Sequence, residues 1–231
     1  SQIFTNLSRS FEAVPFSEVG SITDADPQIA LTYEAGTRYK MDKFEAEFTA
    51  YLSKVSDEFV YEETAANSGV FNLTNQDTTH MGIEAALHTN LNDLFDLSTG
   101  IDYDLSLSYQ FNDFTFDSGT AEGKQIPVIS KHVITSQLRV SGEKWKTALT
   151  VDWLPDGLYA DNLNTLKTSG YALTDLSFEY QLTNALTFNA GVNNLFDKQY
   201  ASSVTVNPDA GSGYISPGDG RSIYTGFTYT W

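Results

Sequence analysis

Asp102 and Asp104 lie two residues apart, a spacing that puts both carboxylates on one face of an extended chain, where a pair can share a proton or hold a cation. That face also carries Ser106, Ser108 and Gln110, so a water-facing wall accounts for the pair without any chemistry. His80, His88 and His132 lack the spacing of metal ligands, and His88 falls beside a short turn. No Gly-x-Ser-x-Gly elbow and no Ser/His/Asp grouping is present, so neither a catalytic set nor a metal site nor a cofactor is expected. Recognition chemistry is the remaining option. The segment from Asp156 to Asn162 and the tips holding Tyr61, Glu62, Glu63 and Tyr214 combine aromatics with hydrogen-bonding groups in loops, where binding residues concentrate. The expected ligand contacts are Tyr61, Tyr159, Asp161, Asn162 and Tyr214. Phe4, Phe11 and Phe16 read as packing residues.

These loops need strands to hold them. From Leu97 to Phe111, one parity holds Leu97, Thr99, Ile101, Tyr103, Leu105, Leu107, Tyr109 and Phe111, and the other is almost wholly polar. Strand side chains alternate between faces, so the stretch requires an apolar medium on one side and water on the other. Ile223, Thr225, Phe227, Tyr229 and Trp231 repeat the pattern at the end of the chain. Phe44 to Leu52, Trp145 to Trp153 and Ala172 to Leu182 do the same, with their apolar parity assigned to lipid.

Composition narrows the classes. Hydrophobic residues make up 41% of the 231 residues, yet none gather into the run of about 18 that a membrane helix requires. A strand-built membrane wall escapes that test because lumen residues dilute its lipid face. The formal net charge of -17 opposes nucleic-acid binding. The absence of cysteine excludes disulfides and thiolate metal sites. The chain opens at Ser1, without methionine and inside strand-like sequence, and so reads as a piece whose upstream portion is missing.

Alternation and turn residues place about ten strands, near residues 2–11, 29–40, 43–60, 70–89, 94–114, 131–141, 145–154, 170–182, 185–195 and 221–231. Tight turns at 41–42, 90–93, 141–144 and 183–184 alternate with long connections at 12–28, 61–69, 115–130, 155–169 and 196–220. An up-and-down meander in an outer membrane sorts its turns in that way, with short ones at the periplasmic side. The inward residues are short, polar and acidic, with few basic partners to permit burial against one another. The strands are therefore expected to face water or a plug, as part of a wider barrel.

The ordered motifs resemble the C-terminal half of a TonB-dependent outer-membrane receptor of the ferric siderophore type. Asn194-Leu195-Phe196-Asp197-Lys198-Gln199-Tyr200 is similar to that family's N-L-F-D-K-x-Y segment, and Pro217-Gly218, Arg221 and an alternating terminal strand follow in the family's order. Ser8 to Phe11, Tyr33 to Gly36, Gly82 to Glu84, and Gly123 through Ile126-Pro127 to His132 also match in order and spacing. The chain departs from the pattern where Asp219-Gly220 intervene before Arg221, where Ser130 replaces a proline, and where Trp231 replaces the usual phenylalanine. The resemblance implies an all-β, antiparallel, up-and-down barrel of about 22 strands. Residues 1–231 would then be its C-terminal portion, without the plug domain or the N-terminal strands. It further implies a bacterial outer-membrane receptor that binds a scarce ligand, most often an iron chelate, and imports it with energy delivered by TonB. The implied partners are the lipid bilayer, the plug, TonB and the chelate. Asn194 to Tyr200 is expected to shape the strand exit rather than to touch ligand. Two other readings compete, an autonomous ten-stranded outer-membrane hydrolase and a secreted β-sandwich binding module.

Overall fold

A computed structural model describes residues 1–14, 26–63, 71–98, 100–206 and 213–231. Phe16 lies outside them, and the side chains of residues 61–72 and 205–214 are not described.

Ten strands form one antiparallel sheet, each hydrogen-bonded to its sequence neighbour: β1 (Gln2–Glu12), β2 (Gln28–Lys40), β3 (Phe44–Glu63), β4 (Phe71–Asn90), β5 (Asp102–Phe116), β6 (His132–Ser141), β7 (Trp145–Leu154), β8 (Tyr171–Gln181), β9 (Leu186–Asn193) and β12 (Ser222–Tyr229). Between β9 and β12, β10 (Ala201–Val206) and β11 (Gly213–Pro217) pair as a separate two-stranded ribbon. Among the described residues the ten-strand sheet does not close, since β1 pairs with β2 alone and β12 with β9 alone.

Register fixes which side chains share a face. Phe48 pairs with Ala85, Ala85 with Tyr109 and Tyr109 with Ile134, so the apolar parity is continuous from strand to strand. On that outer face Phe48, Leu52, Leu107, Leu149, Trp153, Leu176 and Phe178 are exposed, whereas Thr49 and Ser53 on the opposite face of β3 are buried. This inverts the burial pattern of a soluble protein and suits a sheet whose greasy side faces hydrocarbon. Leu105, Leu107 and Tyr109 lie under no second layer, which removes the β-sandwich reading. Aromatics gather at the end of the outer face that carries the shorter connections. Tyr39 and Phe44 sit with ring centroids 5.6 Å apart, Trp145 pairs with Tyr180, and Phe188 meets Phe227 at 5.4 Å. That is where an interfacial girdle belongs.

Four expectations need correction. The strand proposed for 94–114 begins only at Asp102, because Asn90 caps a short helix, α1 (Leu91–Phe95), by accepting from the amides of Asn92 and Asp93. Asp96 then closes it at φ 53°, and the side chain of Asn92 donates to the Ile101 carbonyl and accepts from the Tyr103 amide. Residues 97, 98, 100 and 101 therefore lie outside the sheet, although their alternation continues that of β5. Second, this connection runs from 91 to 101 and holds a helix, where a tight turn over 90–93 was expected. Third, β3 extends to Glu63, which places Tyr61, Glu62 and Glu63 in a strand instead of a loop tip. Finally, the long 196–220 connection contains the β10–β11 ribbon, with Tyr214 in β11.

Candidate functional site

At the sheet end carrying the long connections, the β7–β8 loop folds back on itself as a clip. Ala160 donates to the Leu166 carbonyl and Thr168 to the Leu158 carbonyl, at 2.9 and 2.8 Å, and the Leu158 amide donates to Thr168 Oγ1 at 2.8 Å. Gly157 permits the close approach, at φ 66°, because a Cβ there would stand 2.1 Å from the Thr168 carbonyl oxygen. Asp161 is wholly buried. Its carboxylate accepts from the Thr165 amide at 3.0 Å and from the Leu166 amide at 2.6 Å, so it shapes the loop and presents no surface to a ligand. Asn162 is also buried and engaged. Tyr159 is half-buried, with the Lys167 ammonium 4.7 Å from its ring centroid. Tyr61 pairs in register with Leu73, and Tyr214 with Thr205. The five expected contacts thus divide: Tyr159, Asp161 and Asn162 share one loop, while Tyr61 and Tyr214 stand on two different ribbons.

Neighbouring loops are fastened to this clip. Asn164, at φ 59°, accepts from the Gln125 amide and donates to the Gln125 carbonyl, both at 2.8 Å. The Val128 amide donates to the Tyr159 carbonyl at 3.0 Å. On the other flank, Val204 of β10 packs with Leu158, Ala160 and Leu166 in a small apolar core.

The inner face of the sheet forms a wet wall with its own order. Near the shorter connections Arg38 meets Glu47 at 3.0 Å, Lys146 meets Glu179 at 2.9 Å, and Lys40 pairs with Glu45. Arg38, Lys40, Glu45 and Glu47, with Ser106, Ser108 and Gln137, border a concavity of about 720 Å³. Higher up, a bulge between Val55 and Glu58, with Asp57 at φ 58°, turns Glu58 toward His80. Their side chains lie 3.0 Å apart, Thr78 bonds the same carboxylate, and the imidazole stacks on Phe114 at 4.4 Å. His80 and His88 share β4, while His132 faces outward, 2.9 Å from the Tyr109 hydroxyl. No group of three or more His, Cys, Asp or Glu able to hold a metal occurs among the described residues.

A family profile described as TonB dependent receptor-like, beta-barrel matches residues 1–195. The chain belongs to that family. Its place is the bacterial outer membrane, and the family is one of receptors and transporters rather than enzymes. Among relatives, the pesticin receptor of Yersinia enterocolitica is 22% identical over 97% of this chain and 33% of its own length. Among solved structures, the unliganded ferric citrate transporter FecA superposes with a TM-score of 0.81 at 25% identity, over 98% of this chain and 35% of that one. The ferric yersiniabactin uptake receptor FyuA of Yersinia pestis gives 0.72 at 20% identity, over 98% and 34%. The chain spans about one third of the length of the relatives it matches.

The TonB-dependent receptor signature is structural here. Asn194, buried at φ 49°, donates to the Lys198 and Asp219 carbonyls at 2.9 and 3.1 Å and accepts from the Lys198 amide at 2.8 Å. Asp197 accepts from the Arg221 amide at 2.8 Å, so the two residues inserted before Arg221 are absorbed into the same clamp. Ser130, where a proline was expected, is buried and donates to the His132 carbonyl at 2.9 Å. Sequence reasoning missed the roles of Asn164 and of the Glu58–His80 pair, because each depends on which loops and strands become neighbours.

Proposed function

We propose that this chain is the C-terminal, ten-strand portion of a plugged outer-membrane barrel that captures a ferric siderophore or other iron chelate and imports it with TonB-transmitted energy. The observation that carries the reading is the single-layer sheet with a lipid-suited outer face, a wet inner face and two unpaired edges. Unpaired strand edges are costly within hydrocarbon, so the edges call for further strands. Paired charges around a concavity suit an interior filled by water and a separate plug better than one filled by its own side chains. The similar proteins include a ferric citrate transporter and a ferric yersiniabactin uptake receptor, which supports an iron chelate as cargo.

Ligand contact is assigned to the rim. Tyr159, Tyr61 and Tyr214 are proposed as the aromatic contacts, with Asn162 and Asp161 supporting the loop that carries Tyr159. An anionic chelate needs cations, and of those on the inner wall Arg38, Lys40 and Lys146 are neutralised by carboxylates while Arg139 donates to Gln137. This third of the barrel therefore favours a neutral or cationic chelate, unless the remaining strands supply basic groups. The test is growth of the source bacterium on single iron chelates under iron limitation. Deleting the gene, or TonB, must abolish use of at least one chelate, and unchanged growth on every chelate rejects the reading.

A further inference from the structure

Three connections that are far apart in sequence are joined side by side at the rim. The reciprocal Asn164–Gln125 pair ties the β7–β8 loop to the β5–β6 loop, and Val128 adds a main-chain bond to Tyr159. Val204 ties the β10–β11 ribbon to the same β7–β8 loop through Leu158 and Ala160, both buried. Behind them Tyr171 and Tyr200 pack with ring centroids 4.8 Å apart, anchoring the ribbon's base to β8. An asparagine side chain that accepts from the N–H and donates to the C=O of one residue reproduces a rung of β-sheet, so the junction resists opening as a ladder does. Val128 reinforces the point. A β-branched residue at φ 64° is strained, and such strain persists only where surrounding contacts over-determine it.

We propose that the β5–β6 loop, the β7–β8 loop and the described residues of the β10–β11 ribbon form one cooperative block, so that a ligand meets a preassembled surface instead of three independently mobile loops. Independent loops would each lose conformational freedom on capture, and a preassembled block loses far less. The inference does not depend on the identity of the cargo.

Hydrogen exchange on the full-length receptor, in detergent and without ligand, tests it. Asn164→Ala removes the hydrogen-bonded junction and Val204→Ala weakens the apolar one, from opposite flanks. Each substitution is expected to speed amide exchange about tenfold in all three segments together, because one opening event exposes them all. Acceleration confined to the loop that carries the substitution, for either variant, overturns the proposal. The two variants lie on different elements, so loss of folding in one leaves the other decisive.

Discussion

Asn164 bonds both the amide and the carbonyl of Gln125 at 2.8 Å, across 39 residues of sequence, so that one side chain does the work of a strand neighbour between two loops. Asn75 treats Asp26 likewise, accepting from its amide at 3.0 Å and donating to its carbonyl at 3.1 Å. Asparagine suits this task because its amide has the donor and acceptor geometry of a peptide group.

The third such asparagine supports a stability prediction. Asn194→Ala deletes the partner of two carbonyls and one amide and also installs a residue ill suited to φ 49°. A loss of roughly 2–3 kcal/mol is expected in denaturant unfolding of the full-length receptor. Asn194→Gly, which tolerates the backbone angle but lacks the bonds, should recover only part of it.

Opposite faces of β5 should respond oppositely to charge. Arginine at Leu107, exposed on the outer face, is expected to cost about 2–4 kcal/mol of folding free energy in bilayers, and arginine at the adjacent inward Ser108 less than about 1 kcal/mol. Equal costs would mean that both faces meet the same medium. Unfolding of the two variants in lipid vesicles gives the comparison.

Gly82 leaves room for Tyr51, whose hydroxyl donates to Asn112 Oδ1 at 3.0 Å. A Cβ at Gly82 would stand 2.5 Å from that hydroxyl oxygen and 2.4 Å from the Phe111 carbonyl oxygen. Gly82→Val is expected to destabilise by about 1–3 kcal/mol. Adding Tyr51→Ala should relieve only part of the loss, since the main-chain clash remains, and a double-mutant cycle measures the shared part.

Much of this architecture was legible in sequence, for a physical reason. Outer-face alternation in β3, β7 and β8 reflects a contrast between lipid and water that acts on every residue, so it survives as pattern. The late start of β5 at Asp102 shows the limit, since the bonds made by Asn90 and Asn92 override a local alternation. At the rim, loop composition pointed to Asp161 as a contact, whereas burial makes it a support for its own loop. Polar residues in loops carry the same letters whether they bind a ligand or their own backbone.

The outer end of β5 supplies a pH dependence. Burial alone would raise the Asp117 carboxyl, but hydrogen bonds from Thr79 and Lys54, the nearby Lys54 charge and His80 outweigh it and hold the group below the usual 3.8. A carboxyl depressed on folding stabilises the protein fully above its unfolded value, and that stability fades as pH falls through the folded one. Asp117→Asn should therefore lower the melting temperature at neutral pH, with the difference from the parent shrinking below about pH 4. A difference that persists unchanged into acid would remove the charge from the explanation.

The central claim is that the two faces of this sheet meet different media, and a nitroxide scan along β5 in the full-length receptor, reconstituted in bilayers, tests it most directly. Labels at Leu105, Leu107 and Tyr109 are expected to collide with membrane-dissolved oxygen, and labels at Ser106, Ser108 and Gln110 with a water-soluble nickel chelate, unless a plug shields them from both. Accessibility without a two-residue period, or the nickel chelate reaching the outward set, would contradict the account.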